Sequence, residues 1–545
     1  MKVSDAIADI LRREGVETII GYPVNHILER GAAAGIRPII VRQERTGLHM
    51  ADAMSRVTSG RKLGVFVMQH GPGTENAYGG VAQAFSESVP ILVMPGGYAR
   101  RLAWVERNYN ASVQMRGITK SAEPVTSPKE LTAIMRRAFT RLKSGRGGPC
   151  LVEVPNDVWN EECDPSDYVL SRPLRTGPDP DAIREAAKML TAAKRPVLYA
   201  GQGVHWAEAW DELKQLAELL AIPVTTSLQG KSAFPETHPL ALGSGGLAYP
   251  ATVHHFLKEA DLILGIGCSF TTTNYGVAMP KGKTIIHNTV DATDVNKDVE
   301  CALAVLGDAK LTLAALIEEV SRTQKSPRDA SSVAKEIKDT YDPWLAKWMP
   351  KLTHNEAPFS PYRVLWDLQN TVDIANTIIT HDAGSPRDQL SPFWRCTTPL
   401  SYIGWGKTTQ LGAGLGYAMG AKLAKPDKLC INVWGDAAIG FTGMDFETAV
   451  RERIPIMSIL LNNFSMAIEI PIMPISQAKY KSTDISGDYA AMARAFGGYG
   501  ERITDPKEII PAIKRGIAET KKGKPVLLEF ITKKETVISR YLPEA

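Results

Sequence analysis

A carboxylate and a carboxamide stand at matching places in one unit near the end of the chain. Cys430–Trp434 reads as a buried strand, Gly435-Asp436-Ala437 as a turn and Gly443–Arg453 as a helix. Ile456–Leu461 then reads as a second strand running into Asn462-Asn463. A strand–helix–strand passage makes its two strands parallel. Asp436 and Asn463 then both lie just past the carboxyl ends of parallel strands, where open α/β sheets take their ligands. One carboxylate, one amide oxygen and a loop carbonyl form the protein half of a magnesium site completed by phosphate oxygens and water. The helix that follows would turn its N-terminus toward the phosphates. Taken singly, Asp436 reads as a helix cap and Asn463 as a strand end.

A second acid lies far earlier in the chain. Glu44 falls between the strand-like Arg37–Gln43 and the amphipathic Arg45–Thr58. It reads either as ordinary negative charge at a helix start or as a buried acid whose raised pKa suits proton exchange. Gln69 and His70 end another strand and lead into Gly71-Pro72-Gly73-Thr74-Glu75-Asn76. Glycines there allow a turn or a close backbone approach to a ligand. An imidazole at such a place can move protons near neutral pH, and is as often structural.

The elements that must position these groups alternate between short Val/Ile/Leu-rich strands and helices. This implies α/β architecture: mainly parallel sheets flanked by helices. Two breaks divide the chain, one at Asp164–Asp181 with Pro173, Pro178 and Pro180, the other a charged, Ser/Pro-bearing stretch from Ser321 to Pro361. Three domains are expected, 1–165, 182–322 and 355–545, which suits 545 residues. Lys+Arg 63 against Asp+Glu 59 gives a formal charge of +4, too small a bias to argue for nucleic acid or an anionic membrane. No apolar run reaches the ~18 residues of a membrane helix. Met1-Lys2-Val3-Ser4-Asp5 lacks the apolar core of a secretory signal, and six scattered cysteines show no CxxC pair. A cytoplasmic protein with reduced thiols is the expectation.

Together these segments resemble thiamine-diphosphate-dependent enzymes, in particular the group of acetolactate synthase, pyruvate decarboxylase and benzaldehyde lyase. Gly435-Asp436-Ala437 and Asn462-Asn463 are similar to the family's Gly-Asp-Gly…Asn-Asn motif, with alanine at 437 in place of the usual glycine. Val41–Ala53 resembles the segment that carries the activating glutamate, and Thr408–Ala421 the pyrimidine-binding segment. Asp382-Ala383-Gly384-Ser385 resembles a loop on the diphosphate side, although acetolactate synthases usually have Gln-His where this chain has Ser385-Pro386. Gly71–Asn76, Gly145–Pro155, Leu228–Lys231 and Phe234–Pro239 extend the match over nearly the whole chain.

The resemblance implies a pyrimidine-binding domain, a central domain and a diphosphate-binding domain, in that order. It also implies thiamine diphosphate and Mg2+ as cofactors. The metal ligands would be Asp436, Asn463 and the carbonyl of Ser465, with Gly384, Ser385, Gly435, Ala437 and Ala438 around the diphosphate. Thr409 would offer its carbonyl to the 4′-amino group, and Leu411 would wedge the two rings into a V that holds the 4′-nitrogen near C2. Glu44 would bond N1′ of the pyrimidine and promote the imino tautomer that deprotonates C2. In the family this glutamate meets the diphosphate domain of a neighbouring subunit, so a homodimer is the minimum and a homotetramer the expectation.

The implied chemistry is decarboxylation and/or carboligation of a 2-oxo acid through a C2 ylid and enamine. The alternatives are a 2-hydroxy-ketone lyase/ligase that works without decarboxylation, as benzaldehyde lyase does, and a catalytically silent cofactor-binding paralogue. Asn25, Gln69, His70 and Gln114 are the residues expected to face substrate and act in catalysis with Glu44. Met466, Ile468 and Glu469 are expected to line the substrate channel. Flavin-bearing relatives often have Arg-Phe-Asp-Asp where this chain has Cys268-Ser269-Phe270-Thr271-Thr272, so FAD is not expected.

Overall fold

The computed structural model describes residues 1–541. Their eighteen strands form three six-stranded sheets in which every paired strand is parallel, the α/β architecture expected. The N-terminal sheet holds β1 (Thr18–Gly21), β2 (Arg37–Ile40), β3 (Gly64–Met68), β4 (Ile91–Gly97), β5 (Ser121–Pro124) and β6 (Cys150–Pro155), in the order β2-β1-β3-β4-β6-β5. The central sheet holds β7 (Pro196–Ala200), β8 (Val224–Thr226), β9 (Ala241–Ser244), β10 (Leu262–Ile266), β11 (Thr284–Thr289) and β12 (Leu303–Leu306), ordered β12-β11-β10-β7-β8-β9. The third holds β13 (Thr377–His381), β14 (Tyr402–Ile403), β15 (Leu429–Gly435), β16 (Met457–Asn462), β17 (Tyr499–Ile503) and β18 (Val526–Ile531), ordered β14-β13-β15-β16-β18-β17. Inner strands such as β3, β4 and β6 are buried at every residue, as strands covered by helices on both faces must be.

The chain folds into two compact units. One comprises residues 1–174 together with 412–427 and 441–456, and contains the N-terminal sheet. The other comprises 175–411, 428–440 and the residues from 457 onward, and contains the other two sheets. Among the described residues no helix is long and apolar enough to cross a membrane. All six cysteines are free.

Two local expectations give way. The stretch from Ser321 to Pro361, read as a break, contains the 23-residue helix Ser331–Thr353, with Pro343 and Pro350 inside it. Trp344, Trp348 and Leu352 recur every fourth residue on one face and bury against Tyr362 and Phe393. That apolar stripe outweighs the missing amide donors. The Gly435-Asp436-Ala437 turn is likewise absent, because β15 runs directly into a helix over Asp436–Thr442. A 3-10 turn at Gly443–Asp445 separates that helix from a second one at Phe446–Arg451.

Candidate active site

In the third sheet the chain order reverses between β13 and β15, so the loops after these two strands flank a crevice of the kind that holds ligands. The loop after β13 carries Gly384 and Ser385, and the residue after β15 is Asp436. Gly384 has φ +78, a backbone state that favours glycine. A Cβ there would stand 3.6 Å from Ile468 Cδ1, which places Ile468 beside this loop. A Cβ on Gly435 would lie 4.0 Å from Pro386 Cγ, so the two loops adjoin.

The Asp436 carboxylate is fixed by the backbone. Oδ1 accepts from Ala437 N at 2.9 Å, and Oδ2 accepts from Asn463 N at 3.1 Å and Ser465 N at 3.0 Å. Both of the last two amides reach one oxygen because Phe464 between them takes φ +56 and turns the chain sharply. Burial nonetheless pushes the Asp436 pKa up, against the pull of these amides. Beside it Asn463 Oδ1 is buried without a hydrogen-bond partner. A buried carboxylate next to an unused amide oxygen fits a hard divalent cation, whose ligands are oxygens of this kind. Among the described residues no three His, Cys, Asp or Glu converge, so such a site relies on one carboxylate and neutral oxygens. Asn462 is engaged elsewhere, donating to Glu529 Oε1 at 2.8 Å and accepting from Phe464 N.

The remaining residues of this unit are placed less tightly. Ala437 is half-buried and Ala438 buried, on the first turn of the helix after β15. Met466 and Glu469 are half-buried and Ile468 is exposed, just past the Asn463–Ser465 turn. Burial raises the Glu469 pKa. Thr409 and Leu411 lie half-buried in an irregular segment that leads to the helix Ala413–Ala424.

In the other unit the N-terminal sheet reverses between β1 and β3. Residues after those strands, and after the edge strand β2, gather here. Glu44 opens the helix Glu44–Arg56, of which every residue but Arg45 is buried. Burial pushes the Glu44 pKa up; its own backbone amide and Asn76 pull it down, and the nearby Asp445 pushes it up again. Asp445 Oδ1 accepts from Arg42 N at 2.7 Å and from Thr448 Oγ1 at 2.9 Å, which fixes this second acid beside the helix start. A Cβ on Gly73 would stand 3.1 Å from Gln69 Cγ and 3.5 Å from Glu44 Oε1, so the glycine loop brings these two side chains together.

Gln69 Oε1 also accepts from Val24 N at 3.3 Å. The Asn25 amide is fully used: Nδ2 donates to Met68 O and Met94 O, and Oδ1 caps the next helix at Ile27 N. Asn25 thus ties the end of β3 and the middle of β4 to the start of the next helix. His70 is half-buried, 3.3 Å from the Asn156 amide, with Tyr98 edge-on at 4.8 Å. Gln114 is exposed at the end of the short helix Ala111–Gln114, which Glu153 anchors through Ala111 N, Ser112 N and Ser112 Oγ. The structure therefore gathers Glu44, Gln69, His70 and Asn25, and sets Gln114 at their periphery. Sequence reasoning missed Asn156, Asp445 and Tyr98. Asn156 had a usable signal, since it directly follows the buried strand Cys150–Pro155 just as His70 follows β3.

Three family matches cover most of the chain. Residues 1–112 match the family described as thiamine pyrophosphate enzyme, N-terminal TPP binding domain. Residues 183–316 match its central domain and 382–530 its C-terminal TPP binding domain. The chain is 30% identical to a probable acetolactate synthase large subunit of Methanocaldococcus jannaschii, over 97% of this chain and 92% of that protein. It is 28% identical to a probable acetolactate synthase large subunit of Methanococcus aeolicus, over 100% and 94%. It is 29% identical to the acetolactate synthase isozyme 3 large subunit of Escherichia coli K12, over 95% and 92%.

Proposed function

Because this chain belongs to the acetolactate-synthase-like thiamine pyrophosphate enzymes, we propose that it decarboxylates a 2-oxo acid and joins the remaining fragment to a second carbonyl compound. Thiamine diphosphate, when bound, supplies the carbanion and the electron sink that this chemistry needs. Asp436, Asn463 and the Ser465 carbonyl would hold Mg2+, with Gly384, Ser385, Gly435, Ala437 and Ala438 about the diphosphate and Thr409 and Leu411 at the rings. The observation that carries this assignment is the buried, unpartnered Asn463 Oδ1 beside a carboxylate that only backbone amides hold.

Glu44 is suited to hold a proton on its carboxyl and exchange it, because burial favours its neutral form. Gln69 and His70 supply polar groups at the same sheet end, and Asn25 holds that end in shape. Met466, Ile468 and Glu469 would border the substrate. The family arrangement has the glutamate serve a diphosphate cradle in a neighbouring subunit, so the assembly we assign is a homodimer at least, and a homotetramer as the working form. Ser269, in place of an arginine often found in flavin-bearing relatives, supports function without FAD. Free cysteines support a cytoplasmic location.

Purified protein supplied with thiamine diphosphate and Mg2+ is expected to release CO2 from pyruvate or another 2-oxo acid. With or without an added aldehyde, it should form a carboligation product. Cleavage of a hydroxyketone without CO2 release would replace this reading with a lyase. Inactivity across both substrate classes, with cofactor demonstrably bound, would leave a silent paralogue.

A further inference from the structure

The His70 imidazole meets a side-chain amide that comes from another strand end of the same sheet. This inference rests on the reading of His70 as a group that faces substrate. In the N-terminal sheet β4 lies between β3 and β6 and ends in Gly96–Gly97. His70 follows β3 and Asn156 follows β6, so they flank the tip of β4 from opposite sides. A Cβ on Gly96 would lie 3.5 Å from His70 N and 3.6 Å from Asn156 Oδ1. Glycine at 96 therefore leaves the space between the two residues clear. Asn156 is fixed by its own N–H, which donates to Gly97 O at 2.9 Å, and its Nδ2 reaches His70 Nδ1 at 3.3 Å. Tyr98 packs edge-on to the imidazole, with the rings 4.8 Å apart and 70° between their planes.

We propose that Asn156 is a positioning residue for His70: its amide N–H donates to Nδ1, so the neutral imidazole carries its proton on Nε2 and offers that N–H as its one donor. A neutral imidazole has one donor and one acceptor nitrogen, and occupying the acceptor leaves the other as donor. A preorganised donor suits a carbonyl oxygen that gains negative charge when its carbon is attacked. Titratable groups on the neighbouring segments are Tyr98, Tyr109, Glu75, Glu153 and the Asp157–Arg100 pair next to Asn156. Tyr98 presents its edge, and the Tyr109 hydroxyl donates to Gly71 O at 2.8 Å. The Glu153 carboxylate is occupied by the Ala111 and Ser112 amides and the Ser112 hydroxyl. Glu44 lies by Gly73. Nδ1 is met by the Asn156 amide.

The test is a double-mutant cycle on enzyme saturated with thiamine diphosphate and Mg2+, turning over the best substrate of a 2-oxo acid panel. His70→Ala is expected to lower kcat by about a hundredfold and Asn156→Ala by about tenfold. Adding Asn156→Ala to His70→Ala is expected to cost less than about twofold more, because the two act as a unit. Cofactor retention and hydrogen–deuterium exchange at cofactor C2 should match wild type in all three, which excludes general damage to the fold. Asn156→Asp places an acceptor at Nδ1, moves the proton there and favours the imidazolium. The histidine limb of the kcat–pH profile is then expected to rise by about one unit or more.

Wild-type kcat in His70→Ala would overturn the reading of His70 and this proposal with it. Impaired His70→Ala combined with a silent or fully additive Asn156→Ala would overturn the positioning role alone, as would an unmoved pH profile in Asn156→Asp.

Discussion

Replacing Glu44 with glutamine is expected to stabilise the apoprotein near neutral pH while nearly stopping its chemistry. The sign follows from burial. Desolvation of Glu44 raises its folded-state pKa above the ordinary 4.5, and Asp445 pushes in the same direction. A folded-state pKa above the unfolded one means that the native protein binds the proton more tightly, so stability contributed by this group is complete below about pH 4.5 and falls as pH rises through the folded value. Each unit of elevation corresponds to about 1.4 kcal/mol lost once the carboxylate ionises. Glutamine keeps an oxygen to accept from Asn76 and the backbone but never ionises, so it escapes this loss. The weaker bonds of a neutral acceptor offset up to about 1 kcal/mol of the gain.

Thermal unfolding of cofactor-free protein across pH 4 to 8 is the assay. The Tm difference between variant and wild type is expected to vanish at pH 4 and to grow to about 2–4 °C at pH 8. Loaded with thiamine diphosphate and Mg2+, the same variant is expected to exchange the C2 hydrogen about 10²- to 10⁴-fold more slowly. A pH-independent Tm difference would refute the claim that burial disfavours the Glu44 charge. Exchange at the wild-type rate would refute its role in moving a proton.

Three further outcomes follow from the same structure. Asp436→Ala removes the acceptor for three backbone amides and the one carboxylate of the proposed cation site; cofactor affinity in the presence of Mg2+, followed by tryptophan fluorescence, is expected to fall at least about 100-fold, and unchanged affinity would remove Asp436 from the site. Gly420→Ala would put a Cβ 2.1 Å from Met50 O, so the urea midpoint is expected to drop by the equivalent of about 1–3 kcal/mol, with slower C2 exchange as the Glu44 helix shifts; a wild-type midpoint would show that the contact is soft. Asp52→Ala removes the carboxylate whose Oδ1 accepts from Arg56 Nε at 2.5 Å and leaves Glu87 as the acid acting on the buried guanidinium; it is expected to cost about 1.5–3 kcal/mol by urea unfolding, an unchanged midpoint being incompatible with a buried charge-assisted bond.

The buried middle of each sheet was legible and, β2 excepted, the edge strands were not. Every inner strand announces itself as a short apolar run bounded by turn residues. The strands that no such run revealed are β5, β9, β12, β14 and β17, and each is an edge strand. β5 is Ser-Ala-Glu-Pro and β17 is Tyr-Gly-Glu-Arg-Ile, both partly exposed, because an edge has one neighbour and one wet side. The candidate site divides in a similar way. Asp436, Asn463, Glu44 and His70 each follow an apolar run, so their placement past a strand end is local information. The approach of Asn156 to His70 depends on which strands become neighbours, and that of Asp445 to Glu44 on the segment 441–456 joining the N-terminal unit; local pattern encodes neither.

The helix Glu44–Arg56 shows why so polar a sequence can be buried. It carries Glu44, His49, Asp52 and Arg56 into the interior, a choice that local propensity and burial both oppose. What makes it possible is close backbone approach from several sides. A Cβ on Gly80 would meet Leu48 Cβ at 2.7 Å, one on Gly416 would meet His49 Cβ at 2.6 Å, and one on Gly64 would meet Ala51 O at 2.0 Å. Gly47 on the helix itself lies against Phe66 at 2.4 Å by the same measure. Glycines on neighbouring segments thus replace side-chain packing with near contact of main chains, leaving little room for water around the acids. The Asp52–Arg56 pair sets opposite charges together at the far end of the helix, with Arg56 also over the Tyr417 ring, while at the near end Glu44 feels the charge of a second acid, Asp445. That asymmetry ties the two properties together: the contacts that exclude water from the helix also raise the pKa of its first carboxyl. Substitutions that relieve the buried charge at position 44 should therefore gain stability at the expense of proton exchange, whereas substitutions that widen the glycine contacts should lose both.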